Sequence, residues 1–144
     1  MKNELVKVVA DTNIIISGVL WHGAPHTLLE IAYKNEIQLL TCSALLQELT
    51  EVLQRDKFIP YLSRAKVTVQ EIVESYALMA QVIELGKIDP VIAADPDDDV
   101  VLACAITGRA KIIVSGDNHL LSLKQYQQTQ IMTASEFLLK TNFC

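Results

Sequence analysis

An α/β fold on a parallel sheet is what this chain predicts, and three observations carry the prediction. Two short β-branched runs, LVKVVA at 5–10 and KIIVS at 111–115, read as buried strands, and each discharges into a polar turn. Helical spacings fill the intervals between strand-like runs. Hydrophobic residues make up 51% of the chain and charged ones 20%, with only five Gly and four Pro, which rules out a disordered or collagen-like chain. The 144 residues predict a single domain, 1–144, able to bury about two-thirds of its unfolded surface without a staple.

After the first strand, Gly23 precedes a helix over 24–36, with Leu28, Leu29, Ala32 and Tyr33 on helical spacing. Residues 37–41 (IQLLT) read as the next strand. Ser43 is the predicted N-cap of a helix through Arg55, whose Leu45, Leu46, Leu49, Val52 and Leu53 form one stripe. A third helical pattern runs over 67–80 through Val69, Ile72, Val73, Tyr76 and Met79. Residues 82–85 are either a short strand or the end of that helix. A loop holding Pro90 leads to Asp95-Pro96, an N-cap followed by Pro at the first helical position. The helix it opens, to about Thr107, is apolar all round and therefore buried. Gly108 is its predicted C-cap, followed by the strand at 111–115. A weak strand around Ile131 and a short helix over 134–140 complete the pattern, which has no internal repeat.

The longest uncharged stretch, 12–29, is broken by Asn13, Gly18, His22, Gly23 and Pro25, so no membrane span is expected. No apolar run and cleavage site of a secretory signal precede the first strand. Cys42, Cys104 and Cys144 are an odd set without C-x-x-C spacing. They read as free thiols of a cytoplasmic protein, not as a disulfide framework or zinc site. The net charge of −5, from 12 basic and 17 acidic residues, argues against a uniformly basic nucleic-acid-binding surface. Nucleic acid as a substrate remains compatible with it, because acids gathered in one site attract a divalent cation that reverses the local field.

Ligands of open parallel sheets bind beyond the carboxyl ends of the strands, which is where Asp11 and Asp117 fall. Either alone is ordinary turn or N-cap chemistry; together they place two carboxylates at one sheet edge. On the second helix, the apolar stripe points about 160° from Glu51 and about 100° from Glu48 at 100° per residue. Glu51 therefore faces solvent, and Glu48 sits at the rim, as a solvated charge or as a carboxylate turned into a cleft. Asp95, Asp97, Asp98 and Asp99 crowd the start of the buried helix. The macrodipole favours an acid there by about 0.3–1 kcal/mol, which accounts for Asp95 and Asp97. Two like charges about 4 Å apart, however, repel by roughly 4 kcal/mol at an effective dielectric near 20. Such a run costs more than the dipole returns unless some of the acids diverge into water or meet a cation, and a divalent ion is the economical answer. Oxygen donors suit Mg²⁺ or Mn²⁺ and disfavour zinc, and such an ion orients a phosphodiester for in-line displacement. The chain has no P-loop, no G-x-G-x-x-G and no G-x-S-x-G. His22, His26 and His119 show no ligand spacing and read as structural.

VVADTNIIISG (8–18), SALLQELTEVL (43–53), DPDDDVVLACAITGRAKIIVSGDNHLL (95–121) and MTASEFL (132–138), in that order, strongly resemble the PIN domain. More narrowly they are similar to its stand-alone prokaryotic members of the VapC type, toxin components of type II toxin–antitoxin pairs. The resemblance implies a three-layer α/β/α sandwich around a parallel sheet, and an endoribonuclease dependent on Mg²⁺ or Mn²⁺. It implies that Asp11, Asp98 and Asp117 hold the ion and that Glu48 assists it or positions the nucleophilic water. It selects Asp98 from the acidic run, which charge reasoning leaves open, with Asp99 next in line. Asn13 and Ser115 match polar residues that brace such a site. Asn118 stands where some PIN enzymes carry a further acid, and an amide there would hold a second metal more weakly. RNA would be held by a local basic patch drawn from Arg55, Lys57, Arg64, Lys66, Arg109 and Lys111. A cognate antitoxin and a homodimer or higher homo-oligomer are the expected protein partners. The contrasting expectation is a non-catalytic module that holds RNA or a protein on the same scaffold. Such a module would show a broken acidic set, whereas four acids are kept here. A phosphatase would need a second Asp two residues after Asp11, and position 13 is Asn.

Overall fold

The computed structural model of the chain describes residues 5–86 and 96–141, apart from the side chains of 96 and 97. The Asp95 cap, the Asp97 carboxylate, Pro90 and Cys144 lie outside the described residues. Along the chain run β1 (Lys7–Ala10), α1 (Thr12–Leu20), α2 (Ala24–Tyr33), β2 (Gln38–Thr41), α3 (Ser43–Leu53), a 3₁₀ turn (Asp56–Phe58) and α4 (Ile59–Ala65). Then come α5 (Val69–Met79), β3 (Gln81–Val82), α6 (Pro96–Gly108), β4 (Ile112–Val114), α7 (Asn118–Leu121), β5 (Gln125–Tyr126), β6 (Thr129–Met132) and α8 (Ala134–Thr141). The six strands form one sheet in the order β3-β2-β1-β4-β6-β5, parallel except for the β5–β6 pair.

Strand alternation builds the layers. Val8, Leu39, Ile112 and Val114 face one core with Ile14–Ile16 of α1, Leu28 of α2, Leu53 of α3, Ile72 of α5 and Phe137 of α8. Their neighbours Val9, Leu40 and Ile113 face the opposite core with Leu102, Cys104 and Ala105 of α6 and Leu120 of α7. Helices thus cover both faces of a mostly parallel sheet, as the alternation of elements predicts. Cys42 and Cys104 are buried free thiols. Among the described residues no helix is long and apolar enough to cross a membrane.

The least expected element is α1, whose sequence TNIIISGVL is rich in β-branched residues. Helix propensity opposes it by up to about 0.7 kcal/mol per residue. Burying an Ile side chain is worth about 1.5–3 kcal/mol, and three of them, Ile14, Ile15 and Ile16, are buried, so packing decides the outcome. Asp11 also caps the helix through its side chain. Gly18 sets the approach to α2: a Cβ there would stand 2.6 Å from Leu29 Cδ1 and 2.8 Å from the Pro25 carbonyl oxygen.

Other boundaries shift for local reasons. Cys42, not Ser43, is the N-cap of α3, and it makes no side-chain capping bond. Gly108 is the last residue of α6, and Arg109 takes the left-handed conformation at φ 58°. Gly108 is needed for space, because a Cβ would meet Leu40 Cδ1 at 2.5 Å. Residues 81–82 pair with β2, so of the ambiguous 82–85 only Val82 is strand and residues 83–85 are in neither strand nor helix. The strand around Ile131 is a full member of the sheet beside β4. Reciprocal capping boxes, Thr68 with Glu71 and Thr133 with Glu136, start α5 and α8.

Candidate metal centre

The chain runs outward from β1 to β2 and β3, then returns to β4 on the other flank of β1. The carboxyl ends of β1 and β4 therefore border the topological switch point, and they deliver Asp11 and Asp117. Ala10 pairs with Val114, and the Asp11 N–H donates to the Val114 carbonyl at 3.1 Å, which brings Ser115 beside Asp11. The buried Ser115 hydroxyl donates to Asp11 Oδ2 and accepts the Asp117 N–H at 2.9 Å. Asp11 Oδ1 accepts the Ile14 N–H at 3.0 Å, so both carboxyl oxygens are anchored. Burial pushes the Asp11 carboxyl above its ordinary 3.8; the hydrogen bonds from Ser115, Ile14 and Gly116 oppose this, and the nearby Asp117 charge adds to it. A carboxylate so placed is stabilised by a proton or by a cation.

The third strand-end group comes from α6, which packs on β1, β2 and β4 and carries Asp98 near its start, 6% exposed. One ligand atom each of Asp98, Asp117 and His119 lie within 4.8 Å of one another. Asp117 N-caps α7, with Oδ1 accepting the His119 N–H at 2.7 Å and standing 3.6 Å from His119 Nδ1. Ligands on opposite sides of a Mg²⁺ ion are about 4.2 Å apart, given bonds of about 2.1 Å, so small side-chain adjustments would close these three donors around an ion. Two carboxylates and an imidazole make a mixed oxygen and nitrogen donor set of a kind that divalent cations take.

Glu48 lies half-buried on α3 and accepts the Thr12 hydroxyl at 2.8 Å, which ties it to the residue after Asp11. Glu51 is exposed. Asp99 is buried beside Asp98 but is not one of the three grouped donors. Asn13 is exposed, and the hydrogen bonds to Asp11 and Glu48 come from Ser115 and Thr12. His119, two residues after Asp117, joins the cluster, so its donors are not all oxygen; Asn118 between them is exposed. A readable signal existed, because an Asp that caps a short helix accepts the N–H two residues on and draws that residue close.

The six cations expected to form a basic patch divide into two places. Arg55, Lys57, Arg64 and Lys66 are exposed on the 3₁₀ turn, α4 and their flanks. Arg109 and Lys111 line a cavity of about 920 Å³ with Gln127, Gln128 and Gln130. A second groove of about 870 Å³ runs between α1, α2 and α5. Neither is lined by any of the four acids, and the His119 ring stands 61% exposed, so the cluster opens directly to the surface.

A family model described as PIN domain matches residues 7–119, a span that begins with β1 and ends on His119. It contains Asp11, Glu48, Asp98 and Asp117. No curated protein matches the chain.

Proposed function

The chain belongs to the PIN domain family, whose members are generally nucleases, and from that premise we propose that it is an endoribonuclease dependent on Mg²⁺ or Mn²⁺. The observation that carries the proposal is the convergence of Asp98, Asp117 and His119 donors at the switch point, beside a buried Asp11. A divalent ion held there would supply neutralisation of the phosphodiester's charge. Asp98 and Asp117 would be its principal carboxylate ligands, with His119 an additional donor and Asp11 the buried charge behind them. Ser115 holds Asp11 and the Asp117 backbone in register by hydrogen bonding to both. Glu48, oriented by Thr12, accepts the proton of the attacking water. Water attack on phosphorus leaves a 5′-phosphate and a 3′-hydroxyl. The open setting suits a polymer backbone better than an enclosed small molecule.

The biological role we assign is the toxin of a toxin–antitoxin pair, acting on cytoplasmic RNA as a homo-oligomer with a cognate antitoxin. Expression alone should slow growth, and a neutral growth curve on induction would remove the toxin role while leaving the nuclease. The enzymatic test is cleavage of mixed single-stranded and structured RNA with Mn²⁺, wild type against Asp98→Asn. Manganese-dependent cutting lost in the folded variant is the expected result. Equal cutting by both proteins would refute the site assignment. No cutting by either, with no Mn²⁺-induced rise in melting temperature of wild type, would leave a non-catalytic binding module.

A further inference from the structure

Helix α1 has the buried acid at one end and an exposed aromatic at the other: Asp11 is its N-cap and Trp21 its C-cap. At 1.5 Å rise per residue these caps are about 15 Å apart on a single rigid element. Trp21 is 42% exposed and meets Tyr61 of α4, 37% exposed, with ring centroids 5.2 Å apart and planes at 72°. Two accessible rings set nearly at right angles leave a corner in which a flat ring can stack on one and meet the edge of the other. Between Asp11 and this corner, Asn13, Ser17 and Trp21 recur at i, i+4 and i+8 on one helix face, exposed, half-buried and exposed in turn.

Charge supplies the second, independent observation. Residues 55–66 hold four cations, Arg55, Lys57, Arg64 and Lys66, against the single carboxylate of Asp56, in a chain whose net charge is −5. All four are exposed and none forms an ion pair among the described residues, where the ion pairs involve His26 and His119. Arg64 lies three residues after Tyr61 on α4, which puts guanidinium and phenol ring on neighbouring positions of the helix surface. Exposed aromatics joined to uncompensated cations are the chemistry of a single-stranded nucleic acid: rings take bases, cations take phosphates, and neither selects a sequence.

We infer that the Trp21–Tyr61 corner is a base-stacking subsite that seats an unpaired nucleotide of a single-stranded RNA, with Arg64 and its neighbouring cations on the flanking phosphates. The inference rests on the ribonuclease reading and adds where the substrate is gripped. At about 3.4 Å per stacked nucleotide, the 15 Å along α1 places the gripped base about four nucleotides from the scissile bond, or fewer on an extended strand.

Trp21 is the sole tryptophan of the chain, so intrinsic fluorescence reports on this corner without any substitution. Titration of the full-length protein with a single-stranded oligouridylate decamer in EDTA, where no cleavage is needed, should quench Trp21 saturably. An abasic decamer and a blunt RNA duplex should quench far less. By anisotropy, Trp21→Ala and Tyr61→Ala should each weaken decamer binding about ten-fold, while Arg64→Gln should flatten the salt dependence by about 0.7 in slope. Trp21 fluorescence unmoved by the decamer would overturn the inference and leave the patch as a face for a protein partner. So would equal quenching by the abasic strand, which would mean charge alone. The nuclease reading fails separately: saturable quenching without Mn²⁺-dependent cleavage keeps this subsite and removes the enzyme, and cleavage with an unresponsive Trp21 does the reverse.

Discussion

Replacing Asp11 by Asn should abolish cleavage and, in the metal-free protein, raise stability. The amide keeps the shape of the carboxylate. Its oxygen still accepts the Ile14 N–H that caps α1, and its nitrogen donates to Ser115 Oγ, a hydroxyl with two lone pairs. What disappears is a negative charge 7% exposed and close to Asp117. Burial raises the Asp11 carboxyl above 3.8 in the folded chain, so the folded state binds that proton more tightly than the unfolded one. Stability contributed by this group therefore falls as pH rises from the unfolded value through the folded one, and the penalty is complete above it. Substitutions that relieve such functional strain typically gain about 0.5–2 kcal/mol. With an unfolding entropy near 2.1 cal/mol/K per residue, 1 kcal/mol shifts the Tm of a chain this size by about 3 °C. Asp11→Asn should thus melt about 2–6 °C above wild type in EDTA at neutral pH, and the gap should close as pH approaches about 4. Calorimetry across pH reads both. In Mn²⁺ the order should reverse, since saturation to a hundred times Kd stabilises wild type by about 2.7 kcal/mol and the variant by much less. A variant that melts at or below wild type in EDTA, or a gap independent of pH, would refute the account of Asp11 as a buried, uncompensated charge.

Three further substitutions probe separate parts of the structure. Gly18→Ala forces a methyl against the Pro25 carbonyl oxygen at 2.8 Å, where backbone must move, and should cost about 1–3 kcal/mol, read as a drop in denaturation midpoint with unchanged m-value. An unchanged midpoint would mean that α1 and α2 are not so closely packed. Tyr76 buries a hydroxyl with no hydrogen-bond partner among the described residues, so Tyr76→Phe should be neutral or stabilising by up to about 1 kcal/mol in thermal melts. A clear loss of stability would show that the hydroxyl is satisfied in solution. His119→Ala should weaken Mn²⁺ binding by calorimetric titration at least about ten-fold, and unchanged affinity would remove His119 from the centre.

The parts of the fold visible in the sequence are those where one periodicity dominates. The β-branched runs at 5–10 and 111–115 contain the two strands that border the switch point, and the stripe of Leu45, Leu49, Val52 and Leu53 fixes the buried side of α3. That stripe also leaves Glu48 half-buried and Glu51 exposed. Strand ends were enough to bring Asp11 and Asp117 to one edge of the sheet, but not to say which of Asp98 and Asp99 would join Asp117; that depends on how α6 lies across β1, β2 and β4. His119 escaped because its place comes from a one-turn helix capped by Asp117, too short to leave a periodic trace. Segment 56–65 escaped for another reason: its exposed charges and Pro60 hide a 3₁₀ turn and a short helix that bury only Phe58.

The failure at α1 has a functional logic. The segment TNIIISGVL carries no helical assignment from its own pattern, because three isoleucines and a glycine are poor helix formers. Two features override that preference, and both belong to the neighbourhood of the site. The carboxylate caps the helix while carrying the charge that a cation would neutralise, so the two explanations for an acid after a strand hold for the same residue. The isoleucines, driven into the core, anchor the nine-residue helix between Asp11 and Trp21. A loop of the same length would leave the distance between the acid and the aromatic corner variable, and a strand gripped at one end would then be positioned poorly at the other. Local preference is sacrificed along the element that would have to act as the ruler between grip and cleavage, which is where conflict between sequence propensity and structure is expected.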